Sequence, residues 1–258
     1  MDPACFPVIL TYHSIAEGAP PLHISPALFA DQMQWLHDHA RVTTLDELVT
    51  ALFEHSRLPE RTVVLTFDDG YRDFYSQAAP VLRRLQLPAT IFLATGFCGS
   101  ATRPVTHGWR PKGPMLDWTE VNELAHAGFQ FGAHTITHAP LPELEHEQAN
   151  HEIAGGKLDL ERHIGQTVDY FAYPYGRWSS SVRELVRRQY RAACATGAGV
   201  VQPECDPFAL PRIDAHYLRT PAAWRMLFTA PFLAYIAMRR LIRRIRRQPE
   251  GIYARQPV

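Results

Sequence analysis

The chain lacks what several protein classes require. Its 258 residues include four cysteines, at 5, 98, 194 and 205. None forms a Cys-x-x-Cys pair, which excludes a zinc ribbon or a disulfide-stapled scaffold and points to a reducing compartment. Net charge is also missing: Lys+Arg 26 balances Asp+Glu 26, so the average favours no nucleic-acid partner. Near the C-terminus the longest uncharged stretch, Met226 to Met238, has 13 residues and contains Pro231, short of the roughly 17–25 needed to span a bilayer. No basic segment followed by an apolar one precedes Thr11-Tyr12-His13, so no secretory signal is read, and a cytoplasmic location, at the inner face of the membrane if the tail binds lipid, is the expectation. There is no internal repeat and no low-complexity segment.

What is present is an ordinary globular composition, 46% hydrophobic and 20% charged. A chain of this length buries enough surface to hold its own core, so any metal it takes serves function rather than folding. The charge is unevenly placed. From Arg219 onward there are nine arginines and one acid, Glu250, which leaves 17 bases against 25 acids before it. The division expected is therefore a body, residues 1–218, and an Arg-rich tail, 219–258.

Short β-branched runs alternate with helical patterns. Strands are predicted at Pro7–Tyr12, Thr62–Phe67, Ala89–Ala94, Phe129–Ala133, Tyr170–Ala172 and Arg191–Ala193. Helices are predicted at Ser25–His39, Leu45–Glu54, Phe74–Leu85, Asp117–Ala127, Glu143–Ile164 and Ser179–Arg188. This alternation predicts an α/β fold, a distorted (β/α) barrel of about seven parallel strands with a C-terminal amphipathic helix. Cys98–Pro114, rich in Gly and Pro, reads as a long irregular insertion of the kind that borders a site.

Three motifs sit where an apolar strand ends, the end at which such folds collect catalytic groups. Thr66-Phe67-Asp68-Asp69-Gly70 places two adjacent carboxylates in a glycine turn; alone it reads equally well as an Asx-turn or a helix cap. His134-Thr135-Ile136-Thr137-His138 spaces two imidazoles four residues apart, which suits a divalent metal but also arises by chance among 13 histidines. In a barrel both motifs face one mouth, where two histidines and an aspartate form a three-ligand site. Tyr173-Pro174-Tyr175-Gly176 frames a turn able to aim a backbone N–H at a developing oxyanion. His13 ends the first strand at the same mouth, and Arg212 is a candidate partner for a site carboxylate. Trp109, Trp118 and Trp178 are aromatics that can stack on sugar or fill core.

In order and spacing these motifs resemble the polysaccharide deacetylases of carbohydrate esterase family 4, the NodB-homology domain, over roughly residues 6–215. The resemblance implies that Asp69, His134 and His138 bind the metal, that Asp68 is the general base activating water on it, and that the Tyr175 N–H holds the oxyanion. The common form of the family takes its acid from a C-terminal Leu-x-His motif, which is not evident here. Thr11-Tyr12-His13 instead looks like the permuted poly-N-acetylglucosamine deacetylase branch, which makes His13 the acid, with His216 as the lesser candidate. The arginine that usually precedes Pro-Tyr-Gly is replaced by Ala172 and Tyr173, and Arg212 is the candidate substitute.

The function implied is metal-dependent removal of N-acetyl groups from an amino-sugar-containing glycan or glycan precursor, a lipid-linked sugar included. Deformylation of a lipid-linked amino sugar, hydrolysis of a non-sugar amide, and non-catalytic glycan binding are the alternatives. Zinc suits a His₂Asp site; cobalt, nickel, manganese and iron also fit. In the tail, a helix over 232–247 would gather Ala234, Tyr235, Met238, Leu241, Ile242 and Ile245 on one arc and six arginines on the other. Such a helix lies on anionic lipid, giving peripheral membrane association, or packs on the barrel.

Overall fold

The computed structural model describes residues 3–19, 21–99 and 109–246, with the side chains of the last helix described as far as 242. Residues 100–108 of the insertion and Arg247 of the expected tail helix lie outside the described residues. In chain order the elements are β1 (Val8–Tyr12), β2 (Ser14–Ile15), β3 (His23–Ile24), α1 (Pro26–His39), β4 (Arg41–Thr43), α2 (Leu45–Phe53), β5 (Thr62–Phe67), α3 (Ala79–Arg84) and β6 (Thr90–Leu93). There follow α4 (Trp118–His126), β7 (Gln130–Ala133), α5 (His146–Ile164), β8 (Tyr170–Ala172), α6 (Ser180–Arg187), β9 (Ala192–Cys194), β10 (Ile213–Asp214), α7 (Pro221–Arg225) and α8 (Ala230–Arg246).

Every pairing in the main sheet is parallel, in the order β10-β1-β5-β6-β7-β8-β9, with β4 beside the first half of β5. The ring is drawn together by one segment: Leu210 bridges to Cys194 of β9, and Ile213 pairs with Leu10 of β1. This is the (β/α) barrel expected, with its strands buried on both faces because helices cover the outside and side chains fill the inside.

Successive strand residues alternate between those two faces. Val8, Leu10, Tyr12, Val63, Leu65 and Phe67 pack outward with the helices in one large core. Ile9, Val64, Phe92, Ala172, Cys194 and Leu210 pack in a separate inner cluster, to which α2 adds Leu45, Leu48 and Val49. Gly132 is required by that interior, since a Cβ there would lie 2.5 Å from the Phe92 ring and 2.9 Å from the Tyr170 carbonyl oxygen.

Local chemistry sets the helix starts. Thr44 and Ser179 cap α2 and α6 through their side-chain oxygens. Asp117 and Glu120 form a reciprocal capping box on α4, at 2.8 and 3.1 Å. One expected helix is broken. Phe74–Ala78 is a widened π-type turn, and α3 begins only at Ala79, because Pro80 supplies no N–H and fits the first turn of a new helix. The short strands β2, β3, β4 and β10 are additions to the sequence reading. Past residue 219 the chain stays on the barrel: Trp224, Leu227, Phe228, Phe232 and Ile236 all join the outer core.

Candidate active site

The strand alternation that builds the inner cluster also builds the site. In β1 and β5 the inward positions after Ile9 and Val64 are Thr11 and Thr66, paired on these neighbouring strands with their hydroxyls 2.8 Å apart. The next inward positions are His13 and Asp68. Along the other walls the same step leads from Gly132 to His134, and from Leu210 to Arg212 and Asp214. These strands therefore end by delivering polar groups to one mouth, a cleft of about 930 Å³ lined by His13, Asp68, Asp69, His134, His138 and Tyr175, among others.

Four side chains at this mouth depend on unusual backbone. Asp69, Thr135, His138 and Tyr175 have positive φ, at 73°, 66°, 55° and 59°, a region that non-glycine residues seldom occupy and that clusters at functional sites. The His134–His138 turn is held from α5. Buried Glu152 accepts from Ile136 N and Thr137 N, both at 2.9 Å, and from Thr137 Oγ1 at 2.7 Å. Gly156 lets the same helix approach, since a Cβ there would sit 3.0 Å from the Thr135 backbone.

The two adjacent aspartates have different partners. Arg212 donates to both oxygens of Asp68, at 2.7 and 2.6 Å, and also to Thr66 Oγ1 at 3.1 Å and the Ala195 carbonyl at 3.1 Å. Burial pushes the Asp68 carboxyl up, and the Arg212 guanidinium together with His134 and His13 more than offsets it, so Asp68 sits below its ordinary value. Asp69 faces the histidines instead: its Oδ1 is 3.5 Å from His134 Nε2 and 3.4 Å from His138 Nε2.

That group fits a metal ion. Among the described residues, Asp69, His134 and His138 form a buried trio whose ligand atoms lie within 4.8 Å of one another. His134 Nδ1 is 2.7 Å from the Ala172 carbonyl oxygen, which only accepts, so the hydrogen is on Nδ1 and, in the neutral ring, Nε2 turns a lone pair toward Asp69. Burial, with His134 next to it, pushes His138 down to about 3, which keeps the His138 ring neutral. With Nε2 of both imidazoles and Oδ1 of Asp69 converging on one point, the trio is a donor set that a divalent cation fits.

His13 opens on the same mouth. Burial lowers its pKa, but the charges of Asp69, Asp214 and Asp68 win, and it is raised from the ordinary histidine value. His216, the other candidate acid, is half-buried against Tyr217 and is not among the residues lining the cleft. Trp109 stacks on His138, with ring centroids 4.3 Å apart and planes at 27°. Trp118 lies outside the lining, stacked on His163, and Trp178 packs by Tyr173. Sequence reasoning missed Asp214, Glu152 and Gly156. Only Asp214 carried a signal, being two residues past Arg212 on the same strand face.

Comparison with known proteins agrees with this arrangement. The polysaccharide deacetylase family model matches residues 55–192, more than half of the chain. A putative polysaccharide deacetylase of Bacillus subtilis, YxkH, is 29% identical over 213 residues, covering 82% of this chain and 71% of that protein. The poly-β-1,6-N-acetyl-D-glucosamine N-deacetylase of Staphylococcus epidermidis is 28% identical over 196 residues, covering 72% of this chain and 65% of that protein. Among solved structures, IcaB from Ammonifex degensii superposes with a TM-score of 0.75 at 27% identity, covering 90% of this chain and 97% of that one. Sequence and barrel alike make this chain a member of the polysaccharide deacetylase family.

Proposed function

We propose that the protein hydrolyses the N-acetyl group of an amino sugar in a glycan or glycan precursor, lipid-linked forms included, with His13 as the acid of the permuted branch. The observation that carries this reading is one mouth holding the Asp69–His134–His138 trio, an arginine-clamped Asp68 and His13. A divalent ion in the trio, zinc by its donor set, supplies an electrophile for the acetamide carbonyl and an acidified water.

The remaining work falls to side chains and backbone. Asp68, held ionised and in place by Arg212, takes the proton of the attacking water. The backbone N–H of Tyr175 donates to the oxyanion of the tetrahedral intermediate. When the C–N bond breaks, the amine is too basic to leave as an anion, so it takes a proton from His13, leaving acetate and a free amino sugar. Asp214 and Asp68, whose charges raise the His13 pKa, favour the protonated ring. Trp109, stacked on His138 at the rim, offers an apolar face to a sugar ring.

The test is acetate release from an N-acetylglucosamine oligomer and from a lipid-linked N-acetyl sugar, beside N-formyl and non-sugar amides, using zinc-loaded wild type and His13→Ala. The reading predicts acetate from an amino-sugar substrate and a loss of about 10²–10⁴-fold in His13→Ala. Turnover of formyl or non-sugar amides alone, or none with ion bound, would overturn it.

A further inference from the structure

We propose that α8 lays its outward face on an anionic lipid surface. The helix is fixed to the body by one stripe. Phe232 and Ile236 are buried, the Tyr235 hydroxyl donates to the Tyr217 carbonyl at 2.9 Å, and the Arg239 guanidinium lies over the Tyr217 ring at 4.4 Å. Positions 232, 235, 236 and 239 are one face of an α-helix. This is not the arc read from the sequence: Tyr235 and Arg239 turn inward, and the apolar face divides in two.

The second apolar stripe, Ala234, Met238 and Leu241, lies on the opposite side of the helix and is left without a partner among the described residues. Met238 is 50% and Leu241 57% exposed, and position 245, the next in that stripe, is isoleucine. Arg240 is exposed on the flank between this stripe and the packed one, and the sequence adds arginines at 243, 244 and 246 with no acid anywhere in the helix. Water leaves the stripe unsatisfied, and a nucleic acid or other soluble polyanion would take the arginines but not the methionine and leucine. An anionic bilayer accepts both, with the apolar stripe at the acyl boundary and the guanidinium groups among the headgroups.

Two further features favour a helix lying in the interface. No helix among the described residues is long and apolar enough to cross a membrane. The body before Arg219, with 25 acids and 17 bases, is repelled by the same surface, so attraction is confined to the tail and orients the molecule. Tyr217, against which α8 packs, is three residues beyond Asp214 of the mouth.

The experiment is co-sedimentation of the full chain with phosphatidylcholine vesicles and with vesicles of phosphatidylcholine and phosphatidylglycerol in equal parts, at low salt, comparing wild type with Met238→Ser/Leu241→Ser. Both replaced side chains are exposed and neither lines the cleft, so the variant should keep its folding transition and its turnover of a soluble oligomer. The proposal predicts at least about tenfold more wild-type protein on the phosphatidylglycerol vesicles, and about a tenfold loss of that partitioning in the double variant. Wild type remaining in the supernatant would overturn it. So would a double variant that sediments like wild type, since that leaves only the attraction any polyanion exerts.

Discussion

Arg212 closes on both oxygens of Asp68, at 2.7 and 2.6 Å, and this contact separates the roles of two carboxylates that are adjacent in sequence. Asp68 is committed to a guanidinium from the far end of the domain. Asp69, turned by its positive φ, is left to face the imidazoles.

Removing that guanidinium while keeping its volume, in Arg212→Met, leaves Asp68 buried without a cation. Breaking a buried pair in this way costs about 3–5 kcal/mol. Burial pushes the Asp68 carboxyl up and Arg212 is the largest influence holding it down; removing Arg212 is expected to let burial raise the carboxyl above its unfolded value, so that ionising it opposes folding. The variant's deficit should therefore grow as pH rises from the carboxylate range to neutrality, measured by denaturant unfolding at several pH values. A deficit independent of pH would mean that the pair is not the source.

The metal-free protein should lose stability in acid partly through His138. Its folded pKa, about 3, lies below the unfolded value near 6.5, so between these limits the unfolded chain binds a proton that the folded protein refuses. Stability is full above pH 6.5 and falls toward pH 3, by up to about 1.4 kcal/mol per pH unit. His138→Asn should flatten that slope in unfolding curves of the metal-free protein.

Glu152 touches no ligand atom but holds the turn between His134 and His138 through three hydrogen bonds. Glu152→Ala should weaken zinc binding by about 10–100-fold, the usual cost of losing the groups that orient ligands, as read by competition with a chelator. Glu152→Asp should recover part of it, which a purely global destabilisation would not allow.

Loading zinc should raise the folding stability of wild type by about 2.7 kcal/mol at a hundredfold excess over Kd. His134→Ala should abolish most of that increment, because it removes the ligand that the Ala172 carbonyl orients. An equal increment in the variant would place the ion elsewhere.

The barrel was legible because its strands are uniformly apolar and its helices carry their own start signals; Thr62–Phe67 and Tyr170–Ala172 emerge with the boundaries read from sequence. What escaped has physical causes. Arg41–Thr43 and Ile213–Asp214 are too short to show a period, and their pairing is supplied by β5 and β1. Pro80 broke a helix whose apolar pattern continues through it. In the site, local motifs identified the groups that lie next to each other in sequence. The clamp of Arg212 on Asp68, which the family resemblance anticipated, and the hold of Glu152 on the histidine turn, which nothing in the sequence did, are both long-range contacts with no local pattern. In α8 the period was right, but Tyr235 leaves the arc read from sequence and turns in with Phe232 and Ile236, because helical periodicity does not say which of two apolar stripes the body will take.

The most direct test of the account is Asp68→Asn, loaded with zinc and assayed for acetate release from an N-acetylglucosamine oligomer beside wild type. The account predicts zinc affinity close to wild type, because Asp69 and the two histidines hold the ion, with turnover reduced by about 10²–10⁴-fold. An Asp68→Asn protein that releases acetate at the wild-type rate, or one that no longer binds zinc, would contradict the division of labour between the two aspartates.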